Sequence, residues 1–466
     1  MSGTTRLRRI KRKTASTGIV PTFPNQFLTR RDTPCWGKIA SMNQGPFPKP
    51  LPADPLPLET WLRRADRSEA GREAFFRGRD AEYGVYRSAI TSLSEGMVGG
   101  GTMVFQGAPG AGKSALMEEC MEAVRHHSTP KVPWVAVSVN PGSLRFPDRV
   151  VRAMVNAANA ESVRLRNRAS GAAARVLGDL LDMGRQILQE IPDRGLSVGG
   201  VSWSKREKEM SAEGLFEHAG HMLGGFHIAV FVDEAQNTPV ERMTRDVLDC
   251  LHRDAQGIPL VAAFFGLSDT RDVLRQCGLS RFADERVVNL EPLADDDASC
   301  AIQSVFDAYD FTGMPEDRAA WVDSLAELSQ GWPQHINRVA VAAARVIRDH
   351  GGRIERHLLE MALEHGRARM DAYYAGRLAA GSSRAWVYRG LALAAEENGG
   401  QLSYDGIESL TETVRGKTGE TIDSFLTDAL HAGLLAPAGN LPDQYRIPIP
   451  SFGDYLRALP VEPPLA

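Results

Sequence analysis

Strand-length apolar blocks alternate with amphipathic helical stretches through much of this chain. Thr102–Gln106, Trp134–Val139, Ile228–Val232, Leu260–Phe265 and Arg286–Leu290 are the blocks. Between them, residues 114–126, 147–158, 238–253 and 270–277 carry helical periodicity. Near-continuous apolar strands separated by helices predict a parallel sheet buried on both faces. The expected fold class is α/β.

The rhythm breaks in four places. Residues 1–57 open with the basic cluster Arg6-Leu-Arg-Arg-Ile-Lys-Arg-Lys13 and turn proline-rich, a tail expected to be mostly disordered. Residues 160–226 read as an insertion, with a long polar helix pattern and a glycine-rich stretch near 195–204. Residues 294–380 read as wholly helical. Residues 383–458 read as three helices, a hairpin at Gly433–Asn440 and Gln444–Ile447, and a short helix from Ser451 to Leu459. That last outline suggests a winged-helix domain. The expected organisation is a tail (1–57), a core (58–293), a helical lid (294–380) and a winged-helix-like domain (381–466).

At 466 residues the chain exceeds one compact core. Its net charge of −4 supplies no whole-protein basic field for DNA or an anionic membrane. Any nucleic-acid contact must be local, and the 6–13 cluster is either such a handle or a solvated tail. The 5 cysteines (35, 120, 250, 277 and 300) are far apart and never in a C-x-x-C pair. Their spacing argues against a disulfide framework or zinc site and fits a reducing compartment. No apolar run approaches the roughly 20 residues of a membrane span. The expected location is the cytoplasm, with no membrane partner.

One segment carries strong chemistry. Gly107, Ala108, Pro109, Gly110, Ala111, Gly112, Lys113 and Ser114 fit G-x-x-x-x-G-K-[ST] at every fixed position, between a predicted strand and a predicted helix. Glycines let successive N–H groups curl toward phosphate oxygens, and the helix start adds its positive end. Lys113 is placed for the β- and γ-phosphates and Ser114 for Mg²⁺. The second segment is Asp233-Glu234, at the end of an apolar strand. Asp233 is placed to hold the metal and Glu234 to polarise an attacking water. The expected ligands are ATP and Mg²⁺.

These two motifs, with Asp233-Glu234-Ala-Gln236, resemble the AAA+ superfamily of P-loop ATPases. Within it the chain is similar to bacterial transposition-regulator and secretion-type ATPases. It also resembles STAND-like and origin-recognition groups with a C-terminal winged helix. The resemblance spans about residues 70–458. It implies further roles. Phe76-Arg77-Gly78-Arg79 resembles a segment lying near the adenine, with Arg79 toward the nucleotide, or it is a helix-capping turn. Asn140 stands where a polar residue can restrain the catalytic glutamate, or Asn-Pro-Gly is a plain turn. Ser268 follows the fourth strand, where a polar residue orients water. Arg281, in Leu279-Ser-Arg-Phe282, matches an arginine that reaches a neighbour's ATP, in which case hydrolysis requires a homo-oligomer, or it is a surface arginine. In Gly331-Trp-Pro-Gln-His-Ile-Asn337, Gln334 occupies the place of an expected lid arginine, and Arg338, one turn on, is a candidate substitute.

The presumed reading helix of the winged-helix region, 418–432, carries Glu420, Asp423 and Asp428 but no Lys or Arg. Carboxylates repel phosphates, so this element favours a protein contact over DNA. Three functions remain: an ATP-hydrolysing switch coupling nucleotide state to assembly and partner binding, a non-catalytic ATP-bound scaffold, and a DNA-loading ATPase similar to replication initiators.

Overall fold

The structure is a computed structural model. It describes residues 76–95, 101–167, 211–223, 225–252, 259–279, 286–378, 385–418, 421–438 and 443–459. The tail, the glycine-rich 195–204 stretch and Arg281 lie outside these residues.

Five parallel strands form the central sheet: β1 (Thr102–Gln106), β2 (Trp134–Val139), β3 (His227–Val232), β4 (Leu260–Gly266) and β5 (Val287–Asn289). Their order is β2-β3-β4-β1-β5. β1 and β4 pair from Thr102↔Ala262 to Gln106↔Gly266, and β3 and β4 from Ile228↔Leu260 to Val232↔Phe264. Successive side chains leave a strand on opposite faces. Val104, Val230, Ala262 and Phe264 enter one core, while Met103, Phe105, Phe231, Ala263 and Phe265 enter the other. Both faces are covered, so the strands carry almost no polar residues. Phe105 and Phe265 stack across β1 and β4 with ring centroids 4.8 Å apart.

Helices α1 (Asp80–Ser94) and α2 (Lys113–His127) serve one face; α3 (Pro147–Arg166), α4 (Ala212–Leu223), α5 (Arg242–His252) and α6 (Thr270–Gln276) serve the other. Two helices depart from the periodicity. α3 runs eight residues past the predicted end at 158. α5 starts at Arg242 rather than 238, because a 3₁₀ turn at Ala235–Asn237 and then Pro239 delay helical hydrogen bonding.

The segment expected to be wholly helical contains α7 (Asp295–Ala308), α8 (Pro315–Ser329), α9 (Pro333–Asp349) and α10 (Leu359–Leu378). It also contains the two-residue parallel pair β6 (Thr312–Gly313) and β7 (Arg353–Ile354), too short to register as periodicity. The C-terminal region holds α11 (Ala385–Glu397), α12 (Tyr404–Thr418), α13 (Ile422–His431) and α14 (Phe452–Arg457). A three-stranded antiparallel sheet accompanies them: β8 (Leu402–Ser403), β10 (Gln444–Arg446) and β9 (Ala436–Pro437), in that order. The hairpin expected at 433–440 and 444–447 is β9 with β10, and β8 adds a third strand to it.

Cys120, Cys250 and Cys277 are buried free thiols.

Candidate nucleotide site

The parallel sheet places the ends of β1 and β3 on the same edge, with β4 between them. Two strand spacings are about 10 Å. α2 crosses that distance: Ser114, in its first turn, donates from Oγ to Asp233 Oδ2 at 3.2 Å. Residues 119 apart in sequence therefore share one point, a pair of oxygens of the kind a hard divalent cation takes.

The loop between β1 and α2 needs left-handed backbone at Gly110 (φ +87) and Gly112 (φ +90). A Cβ on Gly110 would lie 2.7 Å from Gln334 Cβ and 2.9 Å from Trp332 Nε1, so only glycine fits. Lys113 curls back and donates to the carbonyls of Gly107 and Ala108, each at 3.0 Å. Burial pulls its ammonium down from 10.5 to about 8; Glu234 and Asp233 oppose that pull, and Arg377 adds to it.

After β3, Asp233 Oδ1 accepts from the Glu234 amide at 2.9 Å. Glu234 then adopts left-handed backbone (φ 53), which turns its exposed carboxylate out at the sheet edge. Gln236, which sequence reasoning quoted without a role, is the residue that grips it. Gln236 Nε2 donates to Glu234 Oε2 at 2.5 Å, and Gln236 Oε1 accepts from the Leu267 amide at 3.1 Å. Gln236 is buried, so the acid is tied to the end of β4 through a rigid side chain. Only its position beside the acid could have flagged it.

The residues suggested by resemblance fall in several places. Asn140 does not engage Glu234; its Oδ1 accepts from the Gly142 amide at 2.8 Å and caps the short turn after β2. Arg79 is buried and donates to the carbonyls of Ala111 (3.0 Å), in the loop after β1, and Glu291 (2.7 Å). Ser268 follows β4 and lines a cleft of about 730 Å³ with Gly107, Ala108, Arg271, Trp332 and Arg446. Arg338 donates to the Arg369 carbonyl at 3.2 Å and lies over the Tyr373 ring at 4.7 Å. Arg281 lies outside the described residues.

The lid and the C-terminal region both touch the loop. The Gln334 amide, at the start of α9, donates to the Gly110 carbonyl at 3.2 Å. Tyr373 on α10 donates to the Pro109 carbonyl at 3.1 Å. Gly433, after α13, meets Pro109 so closely that a Cβ there would lie 2.4 Å from its Cδ. Arg446 of β10 pairs with Glu291 after β5 at 2.7 Å. A buried network joins the same parts: His335 Nε2 and the Tyr374 hydroxyl are 2.8 Å apart, and Tyr374 also meets the Pro450 carbonyl (3.0 Å) and Ser451 Oγ (2.7 Å).

No protein-family model matches the chain, and no curated protein matches it. Among solved structures it is similar to the ADP form of the ORC2 protein of Aeropyrum pernix, at 12% identity and TM-score 0.47, covering 82% of this chain and 95% of that one. It is similar to Cdc6p of Pyrobaculum aerophilum at 13% identity and TM-score 0.40, covering 82% and 94%. It is also similar to the RuvB Holliday junction branch migration motor of Thermotoga maritima at 13% identity and TM-score 0.38, covering 84% and 99%. At these values the chain's own geometry carries the assignment. A parallel sheet ordered β2-β3-β4-β1-β5, with the loop Gly107–Ser114 after β1 and Asp233-Glu234 after β3, gives the chain the α/β fold expected from its sequence.

Proposed function

We propose that this chain binds ATP with Mg²⁺ at the loop Gly107–Ser114 and hydrolyses it, and that the nucleotide state controls assembly and partner binding. The observation that carries this reading is the meeting of Ser114 Oγ and Asp233 Oδ2 at 3.2 Å beside the Lys113 ammonium. Gly110 and Gly112 hold left-handed backbone, a conformation in which successive main-chain amides can turn toward an anion such as a phosphate chain. Among the described residues no group of three or more His, Cys, Asp or Glu could hold a metal ion by itself. Mg²⁺ suits that scarcity, since it is commonly held by one or two protein oxygens plus phosphates and water. When bound, it neutralises charge on the phosphates.

The chain's own residues divide the work. Lys113 leaves the two carbonyls it now holds and meets the β- and γ-phosphates. Glu234 accepts the proton of the attacking water, held by Gln236. Ser268, which lines the cleft, is a candidate to orient that water. Arg281 would act on a neighbouring subunit's nucleotide, so turnover should rise with protein concentration. The partner is another protein, with DNA reached through the 6–13 basic cluster.

The test is phosphate release by wild type, Lys113→Ala and Glu234→Gln. Lys113→Ala should lose nucleotide binding. Glu234→Gln should keep binding and lose turnover. Equal turnover by wild type and Glu234→Gln would remove Glu234 as the base.

A second reading is a non-catalytic ATP-bound scaffold. It is favoured by Gln334, a neutral side chain at the loop where the resemblance implies an arginine. Absence of phosphate release at every protein concentration, with and without DNA, would favour it. The DNA-loading reading differs in requiring salt-sensitive DNA binding that survives removal of residues 1–20.

A further inference from the structure

Resting on the reading of Glu234 as the base, we propose that Leu267 is a positioning residue. Through it, docking of the C-terminal region on the turn between β4 and α6 holds the Glu234 carboxylate in place. Release of that region slows hydrolysis without weakening nucleotide binding.

The contact begins at the end of α13. The Leu434 amide donates to the Ala429 carbonyl and the Gly433 amide to the Leu430 carbonyl, each at 2.9 Å, the paired bonds of a helix closed by a left-handed glycine. Leu434 and Leu435 then enter the hydrophobic core, which fixes Gly433 between the helix and that anchor. A Cβ on Gly433 would lie 3.6 Å from Leu267 Cδ2, an ordinary packing distance. Two residues earlier, His431 Nδ1 stands 4.0 Å from Asp269 Oδ2. The end of α13 thus meets the 267–269 turn at two points.

Leu267 reaches the acid through its main chain. Its amide donates to Gln236 Oε1, and Gln236 Nε2 donates to Glu234 Oε2. The turn is tight against Gln236: a Cβ on Gly266 would lie 2.7 Å from Gln236 Oε1 and 2.2 Å from Thr270 Oγ1. One residue therefore carries the C-terminal contact on its side chain and the acid's anchor on its amide. Asn140 supplies no second restraint, because its side chain caps its own turn. Asp269 Oδ1 is buried without a partner. An unmet acceptor counts against the arrangement around it and leaves this contact open to displacement.

The experiment is single-turnover phosphate release with equilibrium titration of a non-hydrolysable ATP analogue. It uses full-length wild type, Leu267→Ala, Leu267→Met and His431→Glu, each also combined with Gln236→Ala. Leu267→Ala should slow release about fivefold while affinity changes less than about twofold. Leu267→Met should recover most of the rate. His431→Glu sets like charges across the contact from the C-terminal side and should also slow release. Combined with Gln236→Ala, neither Leu267→Ala nor His431→Glu should slow release further, because the link is already cut. Additive losses in the combined variants, or a loss of affinity matching the loss of rate, overturn the inference and leave Glu234 as the base. Wild type that releases no phosphate overturns both.

Discussion

Gln236 bridges two strand ends: its amide nitrogen donates to the Glu234 carboxylate at 2.5 Å, and its oxygen accepts from the Leu267 amide at 3.1 Å. A carboxylate that must take a proton at a defined point loses rate when it can swing. Gln236→Ala should lower phosphate release about tenfold or more with little change in nucleotide affinity. Single-turnover phosphate release alongside equilibrium titration checks this. A matching loss of affinity would mean that Gln236 shapes the loop rather than the acid.

The Lys113 ammonium sits near 8 because burial outweighs the carboxylates beside it. Phosphate binding requires its protonated form. Affinity for the ATP analogue should be level near pH 7 and fall by about tenfold per pH unit well above 8, one proton being taken up per nucleotide. Titrations from pH 6.5 to 9.5 measure the slope. A flat profile would show that the lysine keeps its proton without help from the ligand.

His335 is fully buried, and burial lowers it from 6.5 to about 4. Between these values the unfolded chain binds a proton that the folded chain does not. Its contribution is therefore present in full above 6.5 and lost as the pH falls toward 4. The loss is of the order of 3 kcal/mol. Denaturant unfolding followed from pH 7 to 4.5 should show it, and His335→Gln should flatten that slope. An unaltered slope in His335→Gln would place the acid sensitivity elsewhere.

Gly433 meets Pro109 with no room for a Cβ, at a backbone φ of +68. Gly433→Ala should lift the C-terminal region from the phosphate loop while the α/β core stays folded. Hydrogen exchange should rise at 433–437 and 107–112 together, leaving β1–β4 protected. Increased exchange at 433–437 alone would mean that the two segments are not coupled.

Much of the fold was legible because its signals are local. Buried parallel strands show as apolar runs, and Gly107–Ser114 and Asp233-Glu234 each carry their chemistry within a few residues. The meeting of Ser114 and Asp233 follows once β4 is inserted between β1 and β3, which periodicity alone does not reveal. Gln236 was not legible as the partner of Glu234. Its placement depends on a tertiary contact, with the Leu267 amide, that leaves no spacing rule in the chain. Asn140 and Arg338 show the reverse. Their positions suggested roles at the nucleotide, but a two-residue turn captures one side chain and a carbonyl on α10 captures the other.

The most direct test of the account is the affinity of purified full-length protein for ATP with magnesium, set beside Lys113→Ala. Saturable binding by wild type, at least a hundredfold weaker in Lys113→Ala, is the predicted result, at about 1.4 kcal/mol per decade. Absence of binding by wild type, or equal binding by the two, would contradict it.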